Sequence, residues 1–65
     1  VYWYKKAAEL GNAKAQCLLG YCYQIGQGVE QNVELAIEWY KKAAAQGDQS
    51  SMLKLRELGV NYMNR

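Results

Sequence analysis

Four groups of residues have types and spacings that could carry chemistry. Gly26-Gln27-Gly28 has the glycine density of a phosphate-cradling loop. It lacks a preceding strand, a third glycine and a following Lys-Ser/Thr, so a helix–helix turn accounts for it. Trp39-Tyr40-Lys41-Lys42 interleaves rings with bases, as single-strand nucleic-acid binders do. On a helix these four residues spread over more than about 300°, so Tyr40 faces a core and the lysines a solvated helix end. Cys17 and Cys22 could be reactive thiols, but histidine is absent and no base is identifiable beside them. They read as small, half-buried hydrophobes. Glu30, Glu34 and Glu38 could supply acid–base carboxylates. With no nucleophile, cleft or metal set beside them they read as a solvated helix face. The expectation is a chain that is not an enzyme and has no catalytic, cofactor-binding or metal-binding residues.

Composition narrows the classes further. Sixty-five residues make at most one small domain, near the lower limit for a self-sufficient core. Two cysteines without histidine give neither a disulfide framework nor a zinc set. Cys17 and Cys22 are separated by roughly 140° on a helix and do not pair with each other. Two unpaired cysteines and no visible signal peptide point to a reducing, cytoplasmic compartment. The net charge of +2 is too small for a nucleic-acid footprint. No apolar run approaches the roughly 20 residues of a membrane span. Neither nucleic acid nor membrane is expected as a partner.

The elements that must position these residues follow from a repetition. Trp3-Tyr4-Lys5-Lys6-Ala7-Ala8 returns unchanged as Trp39-Tyr40-Lys41-Lys42-Ala43-Ala44, an offset of 36. Gly11-Asn12 and Gly47-Asp48 follow at the same offset. A period of this size marks a solenoid, whose repeats bury their apolar faces against one another. Residues 1–10 read as the end of a helix, closed by Gly11. Asn12 caps a helix over 13–25, with Ala15, Leu19, Gly20 and Tyr23 on its core side. Gly20 is costly in a helix interior and predicts the close approach of a neighbour. The glycine loop 26–29 leads to Asn32, cap of a helix over 33–46. Its core stripe is Val33, Ala36, Ile37, Tyr40 and Ala43 or Ala44. Gly47 ends it, and a last helix runs from Asp48 to about Tyr62. Within that helix Leu58-Gly59-x-x-Tyr62 repeats Leu19-Gly20-x-x-Tyr23, now at an offset of 39. The in-frame alternative puts Arg56 where Gly20 packs.

The succession Leu19-Gly20-x-x-Tyr23, Gly26-x-Gly28-Val29, Ala36-x-x-Trp39-Tyr40-Lys41-Lys42-Ala43-Ala44-x-x-Gly47 resembles the Sel-1-like repeat (SLR), a branch of the tetratricopeptide superfamily. The resemblance implies an all-α fold: an α/α solenoid of antiparallel helix pairs in a right-handed superhelix, here about four helices. It divides the chain into the end of a B helix (1–11), one full repeat (12–47) and the A helix of a following, degenerate repeat (48–65). It implies a protein–protein interaction scaffold or adaptor, with no catalysis by the repeats. Glu30-Gln31-Asn32 stands where the family usually has Pro-Gln-Asp, so that turn loses a rigid residue. A disulfide-stapled variety of the family has cysteines at positions matching Ala8 and Gln16, and neither is cysteine here. The motifs also look like arrays attached to kinase-like domains in some fungal proteins, although no kinase motif is present.

One face of the helix over 13–25 stands out. Lys14, Cys17, Leu18, Tyr21, Gln24 and Ile25 lie opposite its core side within about 120°, and half of them are apolar. Resemblance to tetratricopeptide arrays places Lys14, Cys17, Tyr21 and Gln24 at concave positions that meet a protein or peptide. The alternatives are cover by neighbouring repeats, a purely structural spacer between other domains, and a repeat region serving a catalytic domain elsewhere in the protein. The pattern opens mid-helix, as in a fragment of a longer array, and self-association of such a fragment is expected.

Overall fold

Asn12, Asn32 and Asp48 each begin a helix with the same bond. In the computed structural model, which describes residues 2–60, each side-chain oxygen accepts from the backbone N–H three residues on. The distances are 3.0 Å to Ala15, 3.1 Å to Leu35 and 2.9 Å to Ser51. Such a cap satisfies one of the free amides of a first turn and contributes about 1 kcal/mol. The helices so opened are α2 (Ala13–Ile25), α3 (Val33–Ala45) and α4 (Gln49–Glu57), preceded by α1 (Tyr2–Glu9). The described residues are thus all-α, and each helix packs on the one before it. This is the repeat architecture of helical hairpins that the motifs predict.

The core is a row of junctions with thin walls. Ala8, Ala15 and Leu19 form one cluster, overlaid by Tyr4, Trp39 and Tyr23. Ala36, Tyr40, Ala44 and Leu55 form the next, and Tyr23 packs against this one as well. Alanines let the helices approach, with Leu19 filling the first gap and Tyr40 and Leu55 the second. Gly20 does the same on α2: a Cβ there would lie 3.0 Å from two atoms of the Tyr40 ring and 3.1 Å from the Ala36 carbonyl oxygen. Tyr40 is fully buried. Val33, expected in the core stripe, is exposed. It opens α3, where the stripe has not yet come under α2.

The last helix departs from the expectation. It ends at Glu57, not near Tyr62, which lies outside the described residues. Gly59 has φ +81°. Its N–H bonds to the Arg56 carbonyl at 3.0 Å, and the Val60 N–H to the Leu55 carbonyl at 2.8 Å. That pair of bonds is a Schellman motif. It also closes α1 through Gly11 and Asn12, and α3 through Gly47 and Asp48. Leu58-Gly59 therefore corresponds to Leu10-Gly11, a helix end, and not to the helix interior Leu19-Gly20. The repeat stays in frame at 36. Asp48 caps as Asn12 does, Ser51 is buried as Ala15 is, and Leu55 is fully buried as Leu19 is.

Candidate functional site

Helices α2 and α4 both pack on α3, and side chains from the two meet beside it. Cys17 of α2, half-buried, touches the cluster around Tyr40 and Leu55. It lies within reach of Ser51, Asp48 and Lys54. Burial pushes its thiol above the ordinary value, the Ser51 hydroxyl opposes this, and the Asp48 carboxylate adds to it. A thiol held in its neutral form is a poor nucleophile. Asp48 is itself engaged, accepting from both the Ser51 N–H at 2.9 Å and the Ser51 hydroxyl at 2.7 Å.

One turn further along α2, Tyr21 is 40% exposed, and the Lys54 ammonium stands 5.1 Å from its ring centre. A cation over an aromatic face at this distance is attracted by about 0.5–1 kcal/mol at an exposed site. The pair links α2 to α4 and leaves much of the ring open to solvent. Leu53, on the same short helix, is exposed as well.

Of the four predicted site residues, the structure brings Cys17 and Tyr21 together with α4. Lys14 is exposed at the start of α2. Gln24 is only half-exposed and has work inside the fold. Its Oε1 accepts from the Tyr40 hydroxyl at 2.7 Å, and its carbonyl accepts from Gln31 Nε2 at 2.8 Å. Gln24 thereby satisfies the only polar group of the buried Tyr40 ring.

Three participants were not legible in the sequence. Lys54 and Ser51 belong to α4, whose frame the Leu-Gly repetition obscured. The recurrence of a capping residue, Asn12 and Asp48, at an offset of 36 was the available signal. Gln16 is buried, donating to the Ala8 carbonyl at 3.0 Å and accepting from Gln46 Nε2 at 3.1 Å. It ties α1, α2 and the end of α3 together, and no local pattern marks it. Among the described residues no group of three His, Cys, Asp or Glu side chains could hold a metal ion. None of the described helices is long and apolar enough to cross a membrane.

A family model described as Sel1 repeat matches residues 1–12 and 13–48. The chain is similar to the chitin synthase regulator SKT5 of Saccharomyces cerevisiae, with 46% identity over 54 residues, covering 83% of this chain and 8% of that protein. It is similar to the DAP3-binding cell death enhancer 1 of Rattus norvegicus, with 36% identity over 58 residues, covering 89% of this chain and 11% of the relative. The chitin synthase regulator SKT5 of Malassezia restricta is 38% identical over 56 residues, 86% of this chain and 4% of its own length. The chain thus spans only a small part of each of these relatives.

Proposed function

This chain belongs to the Sel1 repeat family, and from that premise we propose that it is a non-catalytic scaffold segment that binds a protein or peptide along α2 and α4. The family generally serves protein–protein interaction. The names of these relatives describe a regulator and a binder of another protein, which supports action through a partner. The observation that carries the reading is the half-open Tyr21 ring under Lys54. An amphipathic ring of low conformational entropy beside a cation, at the seam of two helices, suits a binding anchor. Lys14 and Cys17 extend the same face, and Gln24 sets its floor through Tyr40. Affinity in this reading accumulates along neighbouring repeats, and the setting is a reducing, cytoplasmic one.

The test is photo-crosslinking from position 21, with position 38 on α3 as the control, followed by binding of the recovered protein in purified form. Tyr21→Ala and Lys54→Glu should each weaken that binding at least several-fold, and Glu38→Ala should not. A partner held equally well by all three variants would remove this face from the binding surface.

A further inference from the structure

The two ends of the helix stack differ in what they can receive. On α2, the face that takes α3 is built from Gly20, Tyr23 and Gln24. Gly20 leaves room for the Tyr40 ring, Tyr23 packs against the clusters on both sides, and Gln24 accepts the Tyr40 hydroxyl. The in-frame counterparts are Arg56 in the last turn of α4 and Gly59 and Val60 just beyond its end. Arg56 carries a Cβ where the Gly20 geometry leaves none to spare, and a charge that an incoming helix would have to desolvate. Gly59 ends the helix with φ +81°, so the turn that holds Tyr23 on α2 is missing. Val60 folds back onto the cluster around Tyr40 and has no side-chain acceptor for a hydroxyl. The family match also stops at residue 48, just before α4.

At the other end, α1 carries the same Trp-Tyr-Lys-Lys-Ala-Ala sequence as α3, yet Trp3 is 63% exposed and Tyr2 76% exposed. That face keeps Trp3 and Tyr4, the counterparts of Trp39 and of the Tyr40 that meets Gly20.

We propose that α4 is a capping helix: it covers the Tyr40–Ala44 junction, and its outer face does not receive another Trp-Tyr helix of the α3 type. Stacking of repeats of this kind stops at α4, while the α1 face remains competent for it. Solenoids require terminal units whose outer face is polar. Arg56, exposed at the position of Gly20, gives the receiving face of α4 that character.

The test offers α4 such a helix covalently. Residues 26–47 are appended after Arg65 of the full chain, which supplies a second glycine turn and a second α3. In a comparison chain residues 48–65 are also replaced by a copy of 12–25, which restores the glycine, tyrosine and glutamine. Amide hydrogen exchange is read on the appended helix, with the amides of α2 and α3 as the internal reference for folding. After native α4 the appended helix should exchange at least ten-fold faster than α3. After the α2-type helix it should approach α3. Protection equal to that of α3 in the chain with native α4 overturns the capping assignment. Absence of protection in a folded comparison chain overturns the assignment of the receiving face to Gly20, Tyr23 and Gln24.

Discussion

Gly20 meets Tyr40 as bare backbone against one side of a ring: a Cβ on Gly20 would lie 3.0 Å from both Cδ1 and Cε1 of the tyrosine. The closest packing between α2 and α3 is thus set by the absence of one side chain. The Ala36 carbonyl, 3.1 Å from the same point, keeps the ring from being the only obstacle. Leucine at position 20 improves helix propensity by up to about 1 kcal/mol but must displace a fully buried ring and a backbone carbonyl. Overpacking of this kind costs about 1–3 kcal/mol. Gly20→Leu should lower the thermal midpoint, and a midpoint equal to or above the parent's would show that the contact yields freely.

Leu55 and Leu58 separate the two possible frames of α4. Leu55 is fully buried, Leu58 only partly, and Arg56 is exposed. Leu55→Ala should destabilise by about 2–5 kcal/mol, as truncation of a buried leucine does. Leu58→Ala should cost clearly less, and Arg56→Ala should be near neutral. Urea denaturation of the three variants gives the ranking. A larger loss for Leu58→Ala than for Leu55→Ala would restore the offset of 39.

Gly59 holds a left-handed backbone, φ +81°, with open space around its Cα. A side chain there meets no neighbour among the described residues, so the cost of Gly59→Ala is conformational, about 1–2 kcal/mol. The α4 amides should fray faster in hydrogen exchange while those of α2 hold. Unchanged exchange in α4 would mean that the Schellman closure contributes nothing.

Stability should fall at alkaline pH through two groups. Burial raises the Tyr40 phenol well above its ordinary value of 10.0, and burial raises the Cys17 thiol above 9.0. In the unfolded chain both ionise near those ordinary values, while the folded chain keeps its protons longer. The folded state then binds more protons than the unfolded one, so unfolding becomes easier as pH rises. The effect is absent below about pH 8, begins with Cys17 and steepens above the tyrosine value. Tyr40→Phe loses the hydroxyl bond to Gln24, about 0.5–1.5 kcal/mol at neutral pH, and should show a shallower alkaline decline than the parent. Parallel declines in urea titrations across this range would exclude Tyr40 as a contributor.

The candidate site was partly legible in the sequence. Helical spacing alone put Lys14, Cys17, Tyr21 and Gln24 on one side of α2. It did not reveal that Gln24 completes the hydrogen bonding of Tyr40, because that bond spans sixteen residues of chain. Nor could it supply Lys54 over Tyr21, since the partner comes from a different helix, thirty-three residues further along the chain.

What the sequence determined by itself was local. Capping residues, glycines after the last turn and the 36-residue identity placed α1, α2 and α3 and marked Gly20 as a contact. These signals act within a few residues, through hydrogen bonds that each turn makes with its own neighbours. What only the tertiary structure decided was the use of identical letters in different places. Leu19-Gly20 lies inside a helix because α3 covers it, and Leu58-Gly59 ends one because Val60 turns back onto the core. Gln16 is buried because the Ala8 carbonyl and Gln46 wait on either side. In each case the deciding energy comes from a neighbour distant in the chain, which no local pattern records.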